Sequence, residues 1–403
     1  MKTIVGRVSL FLLFSYASQA SAQLLTSAPS VDGNGMGGVT ASVASDNAMA
    51  PLANPAQAGI FSLNGILSAG TYLASPSYSN WFGNYSVSTY SAELGVGLTR
   101  YINTPFKMSA GIGYSRIGAN SLGYPYSRDY ERADNAVFSL GLEDMVKIGL
   151  GLGLNWTSSN YQYAPSQNLE SSTAAYSYGA ILQAPLAEII AGRREESDRS
   201  RSSLLPIADF TIAYAMKDMG NDVNNSSLFS RQGDLGINFE LGVESRFDGH
   251  KWKLLSVILA READEQLIRT DSSLFIENGD SAYIYSDVYT GSIRHMSPYR
   301  NIVLGRSGGR VGVRSGLQVQ AAEFLYIRLG SADGQSLGGY STFGFGIRLI
   351  GLMRLLCLIS NNPRPQGLLM SALTDHVDLE YDYSRMTNWN GGPTFNELSL
   401  LVR

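Results

Sequence analysis

The stretch Lys147-Ile148-Gly149-Leu150-Gly151-Leu152-Gly153-Leu154-Asn155-Trp156-Thr157 decides the fold class. Large apolar side chains recur at every second position, and glycine or a polar residue fills each place between. A period of two belongs to a strand, whose successive side chains point to opposite faces. Just upstream, Phe138, Leu140 and Leu142 alternate with Ser139, Gly141 and Glu143 across a short turn. Further out, Tyr90, Ala92, Leu94, Val96 and Leu98 alternate with Ser91, Glu93, Gly95, Gly97 and Thr99. Met108, Ala110, Ile112 and Tyr114 oppose Lys107, Ser109, Gly111, Gly113 and Ser115. The pattern returns near the end, where Phe343, Phe345, Ile347 and Leu349 oppose Thr342, Gly344, Gly346 and Arg348. Val377, Leu379, Tyr381 and Tyr383 oppose Asp378, Glu380, Asp382 and Ser384.

Alternation alone fits a soluble β-sandwich as well as a membrane barrel, because either has one dry and one wet face. Three details point to a transmembrane antiparallel β-barrel. The apolar faces run for about 9–11 residues, the length a tilted strand needs to cross the hydrocarbon. Tyr90, Tyr114 and Trp156 sit at the ends of these stripes, where an interfacial girdle holds aromatics. The opposite face mixes glycine, serine and ionisable groups, which suits a narrow polar lumen. Roughly 12 to 14 strands can be counted, an even total being the rule for single-chain bacterial barrels.

Composition narrows the class further. The 403 residues include 43 glycines and one cysteine, with 44% hydrophobic and 16% charged residues. Apolar content this high with so little charge excludes a disordered chain, and the lone Cys357 excludes a disulfide scaffold. Formal charge is −4 without a basic block, so nucleic acid is not an expected partner.

Residues 1–22 read as a secretory signal peptide. Lys2 and Arg7 form the positive end, Val8 to Tyr16 the apolar stretch, and Ala20-Ser21-Ala22 the cleavage site. The apolar stretch is too short for a membrane anchor. Its removal leaves 28 basic against 34 acidic residues, a formal charge of −6. Residues 188–203 are the densest in charge and read as a solvated loop. Residues 262–310 are polar, tyrosine-rich and irregular, as in an external loop region, and Leu349 to Ile359 reads as a strand-plus-turn or a short helix.

Between the signal and the first strand lies Asp32 to Gly59, with Gly35-Met36-Gly37-Gly38, then Ala41, Ala44 and Asp46, then Asn54-Pro55-Ala56. This segment resembles the N-terminal segment of the outer-membrane family that contains the long-chain fatty-acid transporters (FadL) and the PorV proteins of the type IX secretion system. Phe210 to Ala213 leading to Met219-Gly220 resembles a family strand that ends in an N-x-G-like turn, with Asp218 where asparagine is usual. Leu325 to Gly330, Thr342 to Ile347 and Leu379 to Tyr383 resemble the family's final strands. The resemblance implies a 14-stranded barrel of the cell outer membrane, spanning residues 61–403. It also implies a plug or hatch formed by residues 23–60, with Gly35, Met36, Gly37, Gly38, Asp46, Asn54, Pro55 and Ala56 as the plug motif. Glycine suits tight turns in a crowded lumen.

The resemblance implies two functions. The first is passage of a hydrophobic, fatty-acid-like small molecule across the outer membrane, among its lipids. The second is a PorV-like role as a component or cargo shuttle of type IX secretion, with secretion-system or cargo proteins as partners. A plain diffusion porin ranks third, because a filled lumen conducts poorly. No enzyme, cofactor or metal is expected. Gly33, Gly35 and Gly38 satisfy G-x-G-x-x-G but come after a signal rather than a strand. Gly305 to Gly309 matches G-x-S-x-G, yet Arg310 to Gln320 alternates as a strand where a helix is required. His250, His295 and His376 share no metal-ligand spacing. Glu93, Lys107, Glu143, Lys147, Arg314, Arg328, Arg348, Asp378, Glu380 and Asp382 fall on the lumen face, with structural pairing such as Glu143 to Lys147 as their expected role.

Overall fold

The structure, a computed structural model, describes residues 30–402 apart from 44, 65, 76–84, 100, 103, 122–129, 165–166, 192–203, 220–230, 248–249, 278–279, 290–291, 335–338, 360–376 and 388–393. The signal peptide therefore lies outside the described residues. In chain order the strands are β1 (Ile66–Ser75), β2 (Tyr85–Gly97), β3 (Lys107–Ser121), β4 (Tyr130–Glu143), β5 (Lys147–Ala164), β6 (Gln167–Pro185), β7 (Leu204–Met219) and β8 (Gln232–Phe247). Next come β9 (His250–Gln266), β10 (Ile268–Glu277), β11 (Asp280–Tyr289), β12 (Val311–Ala321), β13 (Leu325–Asp333), β14 (Tyr340–Arg348), β15 (Val377–Thr387) and β16 (Thr394–Val402). All but β10 and β11 form one closed ring, each strand antiparallel to its neighbours. β1 closes it by pairing with β2 on one side and β16 on the other. Closure removes the unpaired edges that hydrocarbon would penalise.

The alternation read from the sequence becomes a wall with two faces. On β5, Leu150, Leu152, Leu154 and Trp156 are exposed, Leu152 by 62%, whereas Gly151, Gly153 and Asn155 are buried. The exposed set continues around the ring through Leu94, Ile112, Phe138, Leu241, Leu259, Leu329, Phe343, Leu379 and Leu400. Tyr90, Tyr114 and Trp156 border this belt on one side. Leucines standing in water around a whole circumference have no stable account except lipid. No helix of the described residues is long and apolar enough to cross a membrane, so the strands do the crossing. The chain is an outer-membrane β-barrel. Tight turns at 144–146 and 322–324 mark the periplasmic end, and the long excursion between β9 and β12 marks the extracellular end.

Several expectations need correction. Residues 262–310 are not irregular: β9 runs on to Gln266, β10 and β11 pair as a hairpin, and Pro298–Val303 forms a π-helix. The charged 188–203 stretch opens inside a helix, Leu186–Ala191, before leaving the described residues. Of the two alternatives for Leu349–Ile359, the helix is the one formed, at the periplasmic rim. Arg354 fixes it there, donating from Nη1 to Glu323 (2.8 Å) and stacking over Trp252. The first strand begins at Ile66. Glu143 meets Lys107 (3.4 Å), its partner on β3, rather than Lys147. With its side chain 59% exposed, Lys107 belongs to the rim and not to the lumen.

Asp218 explains the family-like strand end at β7. The register of β6 against β7 shifts between Tyr176 and Tyr178, so Lys217 and Asp218 face the single residue Ser177. Asp218 has φ 54°, the left-handed region that asparagine and aspartate tolerate best. Its N–H donates to Ser177 Oγ (3.1 Å) and its carboxylate accepts from Asn155 Nδ2 (2.6 Å). The residue forms a β-bulge within the strand.

Candidate functional site: a filled lumen

The described residues from 30 to 64, all but 44, lie inside the ring of strands. They form three short helices, α1 (Val31–Gly35), α2 (Ala50–Ala53) and α3 (Gln57–Phe61), and a 3-10 turn, Ser62–Asn64. Helices this short have little stability alone, so their surroundings must supply it. Ser30 caps α1, its Oγ accepting from Gly33 N–H (3.3 Å), and Pro51 opens α2 where a missing N–H costs nothing. Val31, Met36, Val39, Met49, Asn54, Ala56 and Gln57 are all at most 1% exposed.

Glycines on the lumen face of the strands record where this backbone passes. A Cβ on Gly330 would stand 2.1 Å from Gly37 N, one on Gly151 2.2 Å from the Pro55 carbonyl carbon, and one on Gly141 2.2 Å from Gly59 O. Gly316 and Gly344 likewise face Met36 and Gly35. Inner segment and wall thus touch backbone to backbone, which only glycine permits. Gly37 and Gly38 have φ 78° and 86°, and Gly37 abuts the Ser331 backbone at 2.6 Å from its would-be Cβ. The Gly35-Met36-Gly37-Gly38 run is therefore a left-handed turn pressed against β12 to β14.

Each expected motif residue occupies this interior. Met36 packs with Val39, Ile258 and Ala260. Ala56 packs with Ile60, Ile181 and Ala213. Asn54 is the polar knot: its Nδ2 reaches Ala41 O (3.3 Å), Ala180 O (3.4 Å) and Tyr214 O (3.4 Å), and its Oδ1 accepts from Ala56 N–H (3.1 Å). One side chain thereby ties the inner segment to β6 and β7. Gly35 O accepts from Thr342 Oγ1 (2.9 Å) and Gly38 O from Arg314 Nη1 (3.3 Å).

Carboxylates of the wall hold the rest. Glu262 accepts from Thr40 N–H (3.2 Å), Ser42 N–H (2.7 Å) and Ser42 Oγ (3.0 Å). Glu397 accepts from Val31 N–H (2.9 Å) and Asn47 Nδ2 (2.5 Å). Sequence reading misses both, because the N–H groups they accept from belong to the inner segment and meet them only in the closed ring. Towards the periplasm, Arg348 binds Asp46 and Glu380 (2.6 Å), while Arg328 binds Asp382 and Gln318 (2.7 Å). Tyr326 lies 5.1 and 5.4 Å from the guanidiniums of Arg328 and Arg348. Pairing of this kind is what allows charge to persist in a dry interior. A cavity of about 10 Å³, room for one water, lies among Asp46, Asn47, Arg348, Asp378 and Glu380.

The opposite side of the inner segment is apolar. Val31 and Met49 pack against Phe395, with Leu52, Ile117 and Met386 half-buried around them. Phe395, Ile117 and Met386 belong to the extracellular halves of their strands. The lumen is therefore greasy beside Val31 and Met49, while buried ion pairs lie toward both ends: in the extracellular halves of β7, β8, β9 and β12, Lys217 meets Asp234 (2.6 Å) and Arg314 meets Asp264 (3.4 Å).

A second unexpected arrangement lies on the outer wall. Residues 293–303 fold back over β8, β9 and β12, covering Leu235, Ile237, Ala263 and Val311 with Met296 and Ile302. Glu265 accepts from the N–H groups of Arg294, His295 and Met296, and Arg261 donates to Ile302 O (3.0 Å) and Val303 O (2.9 Å). Tyr299 and Val303 remain exposed on this flap.

No family model matches the sequence, nor does any curated protein. Among solved structures the chain is similar to the Ralstonia pickettii toluene transporter TbuX, at 12% identity and a TM-score of 0.44, over 94% of this chain and 98% of that one. It is also similar to a Pseudomonas aeruginosa FadL homologue, at 10% identity and a TM-score of 0.42, over 92% and 97%. The monoaromatic hydrocarbon channel CymD gives 11% identity and a TM-score of 0.40, over 93% and 96%.

Proposed function

We propose that this barrel passes hydrophobic compounds across the outer membrane, with residues 30–64 as its hatch and Gly35, Met36, Gly37, Gly38, Asp46, Asn54, Pro55 and Ala56 as the motif that seats it. The observation that carries this reading is the apolar cluster in which Val31, Met49 and Leu52 of the inner segment pack against Ile117, Met386 and Phe395 in the extracellular halves of the wall. Burying a small apolar molecule there contributes about 25 cal/mol per Å² removed from water. Onward passage then requires a local shift of the hatch. Many of its ties are hydrogen bonds and ion pairs, which can exchange for water without exposing a large apolar core. Binding of a fluorescent fatty acid and of a monoaromatic to purified protein tests the reading. Displaceable binding that Met49→Gln or Leu52→Gln weakens is expected, and equal binding by the variants contradicts it.

A second reading, a PorV-like partner in protein secretion, draws support from the flap at residues 293–303 and its exposed Tyr299 and Val303. Co-purification of secretion or cargo proteins that Tyr299→Ser/Val303→Ser abolishes would favour it over transport.

A further inference from the structure

At the extracellular edge of the lipid-facing belt, the outer wall carries a charged row. Strand pairing places Tyr90, Arg116, Asp134 and Trp156 side by side across β2 to β5. All four project outward, as do the apolar residues beneath them: Leu94, Ile112, Phe138 and Leu152. Arg116 Nε donates to Asp134 Oδ1 (2.8 Å) and Arg132 Nε to Asp134 Oδ2 (2.6 Å), while Tyr114 Oη joins Asp134 and accepts from Arg116 Nη2 (2.9 Å). Two guanidiniums therefore share one carboxylate, and among the described residues no second acid meets either. Their side chains are 44% and 43% exposed, so further N–H donors face outward.

A cation on a lipid-facing wall is disfavoured unless something anionic meets it, and the penalty falls to near zero only at the headgroup level. Aromatics on both sides fix that level here. The available anion at this height is a phosphate on the lipid itself, and guanidinium forks match phosphate geometry. We propose that Arg116 and Arg132 form a binding site for the phosphate of an outer-leaflet lipid, with Tyr90 and Trp156 flanking its glycolipid headgroup. This rests on the lipid-facing wall and is independent of what the lumen passes.

The test uses the delipidated full-length barrel, with lipopolysaccharide as probe, alongside the same lipopolysaccharide stripped of its phosphates. Native mass spectrometry reads the bound lipid, and heat-modified gel mobility confirms that each variant is folded. Removing the phosphates, or making Arg116→Gln/Arg132→Gln, should weaken binding by about tenfold or more, as loss of two charge-assisted contacts implies. Asp134→Asn should strengthen it by freeing both arginines, a change that a purely structural ion pair does not produce. Inorganic phosphate at millimolar concentration should fail to compete. Equal binding of the two lipid forms overturns the proposal even if a variant fails to fold, and effective competition by free phosphate overturns its assignment to lipid.

Discussion

The guanidinium of Arg348, the last residue of β14, closes on the carboxylate of Asp46 in the inner segment, joining it to the wall through a pair more than 300 residues apart in sequence. The same arginine also holds Glu380. Arg348→Met should therefore remove the guanidinium that Asp46 and Glu380 share and cost about 3 kcal/mol, with Glu380 keeping Arg328 (3.6 Å), whereas Asp46→Asn should cost less because Arg348 keeps Glu380. Urea unfolding in detergent, read by heat-modified mobility, measures both.

Asn54 carries a separate prediction. Asn54→Ala leaves Ala180 O and Tyr214 O without their donor from the inner segment. The expected loss is about 1–3 kcal/mol of local stability, seen as faster protease cleavage within residues 30–64 while β-content by circular dichroism is unchanged.

Gly330 and Gly339 form a matched pair. A methyl on Gly330 would collide with Gly37 N at 2.1 Å, while one on Gly339 meets nothing within 4 Å. Gly330→Ala should dislodge the left-handed turn at a cost of about 1–3 kcal/mol, as for other overpacked sites, and should raise ion leakage through reconstituted protein. Gly339→Ala should do neither.

The alternation that makes the barrel legible persists wherever the outer wall meets lipid, as along Leu150 to Trp156. It breaks down along β9, where Arg261 and Glu265 point outward yet are polar. They can do so because the flap covers them and supplies carbonyls and N–H groups. That stretch therefore reads as loop from sequence alone. The lumen-facing glycines are legible as a face, but their reason is not. Gly141, Gly151 and Gly330 are small because another part of the chain lies against them, hundreds of residues away in the case of Gly330. The motif residues Asp46 and Asn54 are legible from family resemblance. Their partners Arg348, Ala180 and Tyr214 come only from the closed ring.

Leu152, 62% exposed at the height of the belt, probes the solvent of the outer face. Leu152→Arg should cost about 2–4 kcal/mol for folding into phospholipid vesicles, the penalty for arginine near a bilayer midplane.

Planar-bilayer recording of the purified full-length barrel addresses the stoppered lumen most directly. Insertion without steady ohmic current is the expected result, because the inner segment lies inside the ring and touches its wall backbone to backbone at Gly141, Gly151 and Gly330. Persistent, voltage-independent conductance of porin size in the unaltered protein would contradict it.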